Sequence, residues 1–401
     1  MNYTSPVVEI SDVYSTGTGA RAEAIVANGV ITSIIVTNGG SGYTAPIITI
    51  ADATGVGVEA TAIIGGLPGS LSGGIRKFID SLPRLGAAGA NNLGQYISIA
   101  NADTTTFHGS DYYEIGLVEY SEQMHSDLPA TKLRGYVQLN NGTDSNGQNT
   151  IMPSPVHYLG PLIVSGKDRP VRIKFTNMLP TGADGNLFLP VDKSVMGAGM
   201  GPIDMPGMPG MKENYTENRA TIHLHGNNSV WISDGTPHQW ITPADEMTSY
   251  PEGVSVVNVP DMPDPGDGSM TFYYTNQQSA RLMFYHDHAF GITRLNVYAG
   301  EAAGYLITDQ VEQDLINGTN NSGVNPGLLK VLPDIGIPLV IQDKTFVDST
   351  TISFQDPTWK WGSMPGIAMT GDLWYPHVYV PAQNPGDITG VNPFGRWHYG
   401  P

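Results

Sequence analysis

Short runs of apolar residues that alternate with polar ones recur along most of the chain and predict β-strands. The runs are rich in Val, Ile, Thr and Tyr, which strands favour, and Gly or Pro bounds several of them. No stretch shows a long helical apolar period with caps at both ends, and only Gln310–Leu315 indicates a short helix. The pattern predicts an all-β fold of short, turn-bounded strands, as in a sandwich. The main strand candidates are Tyr136–Leu139, Val171–Phe175, Ala220–Leu224, Ser255–Val259, Met270–Tyr274, Met283–Tyr285 and Gly304–Ile307.

The first seventy residues carry an internal repeat. Ser5–Ile10 followed by Gly19–Val26 is echoed by Ala45–Ile50 followed by Gly57–Ile64, at an offset of 38 to 40 residues. Residues 1–70 are therefore predicted to form a small Gly-rich β-repeat module. The module resembles the glycine-rich repeats attached to many bacterial surface and phage proteins, which favours a spacer or adhesion role over a catalytic one.

Composition also divides the rest of the chain. The stretch Gly65–Gly74 is rich in Gly and Ser, which is typical of a linker. Residues 74–315 hold most strand candidates and are predicted to form the main domain. A new β segment is expected to begin at Ile337, so residues 326–401 are predicted to be the incomplete start of a further domain.

Charge and hydropathy exclude two classes of partner. Lys and Arg number 19 against 37 Asp and Glu, which gives a net charge of −18. Because contacts to phosphates need clustered Lys and Arg, no nucleic acid is expected. No apolar run reaches the roughly 18–20 residues of a membrane span. The N-terminus lacks the basic and apolar regions of a signal peptide, so the chain is either cytoplasmic or numbered after removal of a signal.

Four of the ten histidines fall in two His-x-His triplets, His223-Leu-His225 and His286-Asp-His288. Residues i and i+2 of a strand share one face, so each pair can direct two imidazoles at one point. Two such strands side by side would present four neutral nitrogen ligands, which suit copper or zinc better than magnesium or calcium. The chain has no cysteine, which excludes disulfides and thiolate ligands within it.

The residues around the triplets carry a family resemblance. The first triplet lies in Asn218–Gly226 and is followed by Ser233–Pro243, and the second lies in Met283–Ile307. These segments resemble the first domain of multicopper oxidases, in the branch of spore-coat laccases and bilirubin oxidases. The likeness covers roughly residues 150–401 and is most specific around the triplets. It implies a cupredoxin-like Greek-key β-sandwich for residues 74–315, with each triplet near a strand end.

The resemblance also implies copper as the cofactor and a set of ligands. His223 matches a ligand of the type 2 copper. The other three histidines, His225, His286 and His288, match ligands of the type 3 copper pair in a trinuclear cluster. Reduction of O2 to water needs four electrons and four protons, which three coppers can deliver, and imidazole binds both Cu(I) and Cu(II). The alternative, buried histidines that only form hydrogen bonds, is less favoured for two pairs than for one.

Other residues near the triplets receive weaker assignments. Asp234 matches a family acid near the solvent channel of the cluster, where a carboxylate can relay protons or orient water. A turn aspartate before Gly235 is an equally good interpretation. Asp287 is expected to point to the opposite strand face in a structural role, and His238 matches no ligand of the family. The residues expected to support the ligand strands are Tyr285, Arg294 and Asn296.

The loop Met196–Met211 contains five methionines. Thioethers are soft ligands that favour Cu(I), so the loop is a candidate for auxiliary copper binding. Methionine also fills irregular gaps, and the Gly and Pro spacing fits a long lid, which is the favoured interpretation.

The chain departs from the family pattern after residue 288. A complete multicopper oxidase has a type 1 copper held by a cysteine and two histidines, and its last domain supplies a His-Cys-His segment and four further cluster histidines. The 401 residues contain none of these features. They are therefore predicted to be the N-terminal half of such an enzyme. The other half would be a separate chain or a cleaved fragment; a truncated sequence and a standalone copper protein are the competing explanations.

The favoured function is thus half of a laccase-like multicopper oxidase. O2 would be reduced at the trinuclear cluster, while a small reducing substrate or metal ion is oxidised at a type 1 copper on the partner half that carries the His-Cys-His segment. One alternative is a non-catalytic copper-binding or carrier protein, and another is an extracellular structural protein with a degenerate cupredoxin fold. The repeat and the chemistry favour a location outside the cytoplasm, whether periplasmic, cell-surface or secreted.

Overall fold

The fold was analysed in a computed structural model, which describes residues 2–12, 17–41, 43, 46–57, 74–140, 156–204, 207–334, 336–357 and 359–374. The chain divides into two compact units. One unit comprises Met1–Ile79 with His125–Leu128, and the other comprises Asp80–Met124 with Pro129–Pro401. Among the residues that the structure describes, no helix has the length and apolar character needed to cross a membrane.

The first unit is built from antiparallel strand pairs. Its strands are β1 (Val7–Asp12), β2 (Thr18–Ala27), β3 (Val30–Ser41) and β4 (Pro46–Ala51). β1 pairs with β4, and β2 pairs with β3. Residues 7–10 and 46–50, which belong to equivalent repeat segments, therefore meet in one sheet, with Val8 opposite Ile50. Most of the repeat segment Gly57–Ile64 lies outside the described residues, as does all of the predicted linker before Gly74.

The second unit contains further strands and short helices. Its elements are β5 (Asp111–Gln123), β6 (Ala130–Gln138), β7 (Ile163–Gly166), β8 (Val171–Asn177), β9 (Met200–Asp204), β10 (Lys212–Asn214), β11 (His223–Leu224), β12 (Ser269–Tyr274), β13 (Arg281–His286), α1 (Thr293–Ala299), β14 (Ala302–Thr308), α2 (Gln310–Asn317) and α3 (Ile352–Gln355). The helix predicted at Gln310–Leu315 is confirmed as α2, which Asp309 caps by accepting a hydrogen bond from the Glu312 N–H.

Two four-stranded sheets form a sandwich in the second unit. Their strand orders are β12-β8-β5-β6 and β11-β13-β14-β7, and each sheet contains one parallel pair. Alternate residues of both sheets, such as Ile173, Phe175 and Tyr285, are buried in one common core. The chain crosses between the two sheets several times. The all-β, cupredoxin-like prediction is confirmed.

Three strand predictions require correction. Ser255–Val259 forms no ladder, because the Ser255 N–H bonds to the His238 carbonyl and the Val259 N–H bonds to the Thr271 hydroxyl oxygen. The segment that starts at Ile337 forms no strand either, since residues 337–343 pair with no strand that the structure describes. The strand predicted at Ala220–Leu224 shortens to its last two residues, and Ala220 instead bridges Ile241.

Candidate metal centre

The two His-x-His triplets lie on neighbouring strands at one end of the sandwich. β11 pairs antiparallel with β13, so that His223 lies directly opposite His286. The pairing continues past β11, because the His225 N–H donates to the Phe284 carbonyl over 2.9 Å. His286 is the last residue of β13, and His288 follows it after a single residue. The strand ladder therefore brings together all four histidines that the sequence singles out.

The imidazole rings form one compact cluster. Candidate ligand nitrogens of His223, His225 and His286 all lie within 4.8 Å of one another. The closest approach is between His225 Nδ1 and His286 Nε2, at 3.3 Å. The His288 ring stacks on the His223 ring, with centroids 4.6 Å apart and planes 20° apart. Three histidines converge on one point, and the fourth lies beside it.

Backbone carbonyls orient three of the rings. His223 Nδ1 lies 2.5 Å from the Asp234 carbonyl oxygen, His286 Nδ1 lies 2.6 Å from that of Asp287, and His288 Nδ1 lies 3.1 Å from that of Gly235. Each Nδ1 must donate its proton to such an oxygen, so the lone pair of each ring is on Nε2. His225 has no such carbonyl contact among the described residues and turns its Nδ1 towards His286. The donor set is thus three Nε2 atoms and one Nδ1 atom.

Burial keeps two of the candidate ligand rings uncharged. The pKa of His286 is lowered to about 4, mainly by burial and in smaller part by the neighbouring histidines. The pKa of His288 is also lowered, first by burial and then by the charge of His223. An imidazole must be neutral to bind a metal ion, so both rings are in the required form at neutral pH.

The residues present fit copper. Copper(II) and copper(I) both bind imidazole nitrogen, and the four donors are nitrogens of one chemical type. The 3.3 Å between His225 Nδ1 and His286 Nε2 is a separation that one ion can bridge, given metal–imidazole distances of roughly 2.0–2.1 Å. Each ring that carries its proton on Nδ1 has the backbone partner typical of metal-bound histidine.

Asp287 lies between two of these histidines and points away from them into the protein. It is fully buried and accepts hydrogen bonds from the Thr221 N–H at 3.0 Å, from the Ala289 N–H at 3.1 Å and from Asn296 Nδ2 at 3.0 Å. Burial raises the pKa of its carboxyl group to about 6. The side chain ties the end of β13 to β11 and α1, so its geometry is that of a structural residue.

Asp234 lies at the exposed edge of the cluster. Its side chain is 36% exposed, and its Oδ2 lies 3.9 Å from His223 Nδ1. Ser229 Oγ donates to its Oδ1 over 3.2 Å. Asp234 therefore contacts His223 through its backbone carbonyl, and its carboxylate reaches solvent.

Two residues that were expected to support the ligand strands, Tyr285 and Asn296, are buried and hydrogen-bonded, whereas His238 lies elsewhere. Tyr285 is fully buried, and its hydroxyl donates to the Pro161 carbonyl over 2.7 Å. The side-chain amide of Asn296 donates hydrogen bonds to the Asp287 carboxylate and to the Arg219 carbonyl. His238 packs its ring against Phe290, apart from the cluster.

Sequence reasoning missed two residues that shape this centre. Arg219 is buried, and its guanidinium donates to carbonyls of Gly197 and Phe290 while it lies over the ring of Trp240. Gly235 supplies the carbonyl for His288 from a left-handed turn with φ 67°. An arginine beside a ligand strand and a glycine after an aspartate have no distinctive pattern, so neither role could be predicted from the sequence.

The methionine-rich loop forms a hairpin of β9 and β10, with Lys212 opposite Asp204. Met196, Met200, Met208 and Met211 are exposed, while Met205 lies outside the described residues. Auxiliary copper binding by this loop stays a prediction.

Comparisons with known proteins find laccases of similar sequence. The chain is 32% identical over 245 residues to a laccase of Bacillus stratosphericus, covering 61% of this chain and 35% of that one. It is 28% identical over 243 residues to a laccase of Bacillus subtilis, and 29% identical over 248 residues to a laccase of Haloferax volcanii. The matched region spans 33–36% of the length of these relatives.

Neither the family models nor the solved structures identify the family of the chain. No family model matches the chain. A crystal structure of a multi-copper oxidase from Pediococcus acidilactici is 19% identical, with a TM-score of 0.33 over 55% of this chain and 30% of that one. The sequence likeness to the laccases confirms the resemblance: the chain is similar to them over about 60% of its own length and about a third of theirs.

Proposed function

We propose that the chain supplies four histidine ligands to the trinuclear copper cluster of a laccase-like multicopper oxidase, which reduces O2 to water. The convergence of His223, His225, His286 and His288 on paired strands is the observation that carries the proposal. Within the cluster, His223 is a ligand of the type 2 copper and the other three are ligands of the type 3 pair. The sequence likeness to laccases supports the choice of reaction.

The residues of the chain hold the ligands and handle protons. Copper, when bound, supplies the one-electron redox steps that carry electrons from a reducing substrate to O2. The carbonyls of Asp234, Gly235 and Asp287 hold three rings with their Nε2 lone pairs free. The Asp234 carboxylate lies between solvent and His223, where it can pass protons inward.

Four imidazoles cannot complete the coordination of three copper ions, because each ion needs about three or four ligands. Further histidines must come from outside this set. The outer face of β13, beside the histidine cluster, is evidence that a partner covers this part of the sheet. Leu282 and Phe284 are 44% and 42% exposed there, and the Phe284 ring stacks on His225 with centroids 4.8 Å apart. The outer face of a sandwich sheet is normally polar.

The protein part that covers this face would carry the His-Cys-His segment and the type 1 copper. A small reducing substrate or metal ion is oxidised there. In this arrangement residues 326–401 begin a second cupredoxin-like domain, and residues 1–70 form a repeat module that places the enzyme outside the cytoplasm.

Metal analysis of the native, purified material tests the proposal. About four coppers per assembly, a blue absorption band, O2 uptake and a co-purifying segment with His-Cys-His are the expected results. One or two coppers on a lone chain, with neither blue band nor O2 uptake, would instead favour the non-catalytic copper carrier.

Ligand variants test the residue assignment. His225→Ala and His286→Ala should each abolish O2 consumption in the assembled enzyme and leave the blue colour of the partner unchanged. His238→Ala is the matched control, because its ring packs on Phe290 instead of the cluster. O2 consumption that persists in both ligand variants would refute the ligand set.

A further inference from the structure

A cavity of about 260 Å³ lies in the second unit, lined by residues that play no part in the metal centre. Its apolar wall includes Met124, Leu159 and Phe346, and Val340 stands at the wall with 45% of its surface exposed. The volume is slightly below the roughly 300–1,000 Å³ of pockets for drug-sized ligands. The cavity therefore suits a molecule with one ring.

Among the described residues, a single amine lines this cavity, beside the polar groups of Tyr158 and Gln342. The Lys344 Nζ atom lies 5.1 Å from the ring centre of Tyr158 and 4.7 Å from that of Tyr298. Its hydrogen bond goes to the Tyr298 carbonyl oxygen. An ammonium group has three N–H donors, so two remain for another acceptor.

The amine has no anionic partner within ion-pair distance among the residues that the structure describes. Asp343, its neighbour in sequence, acts on it only through longer-range charge. Burial lowers the pKa of Lys344 to about 8, so the amine carries a proton over most of the neutral range. A half-buried cation without a counter-charge is costly, and an incoming carboxylate would relieve that cost.

We propose that Lys344 and this cavity form a binding site for a small aromatic carboxylate, separate from the metal centre. The carboxylate accepts hydrogen bonds from the free N–H groups of Lys344. The ring packs against Phe346 and the thioether of Met124, contacts that aromatic groups favour. Charge and apolar packing are both required, so a neutral ring of the same shape binds more weakly.

Fluorine NMR with 4-fluorobenzoate tests the site on the metal-free 401-residue chain, because removal of copper excludes carboxylate binding at the histidines. We expect saturable binding with a Kd of about 1 mM. The neutral probe 4-fluorobenzamide should bind at least tenfold more weakly. Equal binding of the two probes, or no saturable binding of either, would overturn the proposal.

Single-residue variants test whether 4-fluorobenzoate binds in this cavity. Lys344→Met should weaken 4-fluorobenzoate binding at least tenfold, and Val340→Trp should block it by filling the cavity from its exposed wall. Lys360→Met is the matched control, because that amine lies over the Trp361 ring at 5.7 Å outside the cavity. Near-UV circular dichroism shows whether each variant is folded. Unchanged affinity in a folded Lys344→Met or Val340→Trp protein would also overturn the proposal.

Discussion

Two buried carboxyl groups lie on the protein side of the metal centre. Asp287 and Glu301 are both fully buried, and the Asp287 N–H donates to the Glu301 carbonyl over 3.1 Å. Asp287 has every carboxylate oxygen engaged in hydrogen bonds, whereas neither carboxylate oxygen of Glu301 has one in the part of the chain that the structure describes. The two groups should therefore affect stability in opposite directions.

We expect Asp287→Ala to lower the free energy of unfolding by about 3 kcal/mol, since it leaves the buried N–H groups of Thr221, Ala289 and Asn296 without an acceptor. Urea denaturation of the metal-free chain measures the effect. The exposed Asp184 provides the control variant Asp184→Ala, which should change stability little. Equal losses in the two variants would show that Asp287 does not hold the ligand segment.

Glu301 should make stability depend on pH. Burial and the charge of Asp287 raise its pKa well above the usual value, although Arg134 Nη1 lies 3.6 Å from Oε1. Above the pKa of the unfolded chain, the folded state keeps a proton that the unfolded state has lost. The free energy of unfolding therefore falls as pH rises towards the folded pKa.

Glu301→Gln removes this titration, so wild-type stability should fall relative to the variant between pH 4.5 and pH 7. Urea unfolding at three pH values across this window measures the difference. A difference that does not change with pH would mean that Glu301 is ionised beside Arg134.

At the scale of elements, a single turn orients two of the candidate ligands. Asp234 and Gly235 offer their carbonyls to His223 and His288. Gly235 has φ 67°, and a Cβ atom there would overlap the carbonyl oxygen of Ile222 on the approach to β11. The turn therefore requires glycine for both its conformation and its close contact.

We expect Gly235→Ala to weaken copper binding at least tenfold and to lower the free energy of unfolding by about 2 kcal/mol or more. Gly266→Ala is the matched control, because Gly266 has φ 80° and open space around it. Copper titration and urea unfolding of both variants measure the two effects. If both variants keep wild-type affinity, the turn does not position the ligands.

Sequence patterns predicted the strands that have one buried face. Met270–Tyr274 and Gly304–Ile307 lie inside β12 and β14 because alternate residues enter the core. The central strand β5 was missed. Six of its first seven residues are buried, on both faces of the strand, so the apolar alternation disappears. Ser255–Val259 has an apolar pattern, but its N–H groups bond to the His238 carbonyl and the Thr271 hydroxyl in place of a strand ladder.

The candidate site was only partly predictable for a related reason. The i, i+2 spacing of each triplet fixes which histidines share a strand face. The carbonyl partners of His223 and His288 come from a turn eleven or more residues away along the chain. Such contacts depend on how the turn packs against the strand, and no local pattern records that packing.

At the scale of the whole molecule, the outer face of the β13 sheet is unusual for an acidic protein. Leu282 lies opposite Leu306 in the ladder, and Leu282 and Phe284 are exposed. A net charge of −18 opposes self-association at low ionic strength. Salt screens that repulsion and leaves the apolar face free to find a partner.

We therefore expect the isolated chain to form reversible dimers at about 0.5 M salt, where the Debye length is only a few ångströms. The double variant Leu282→Lys with Phe284→Lys should stay monomeric, because it places charge on the apolar face. Val311→Lys with Val324→Lys, at exposed positions outside this sheet, is the control and should still dimerise. Sedimentation velocity over a range of protein concentrations measures the association. A wild-type chain that stays monomeric at high salt, or dimers that persist in the β13 variant, would show that this face is not a docking surface.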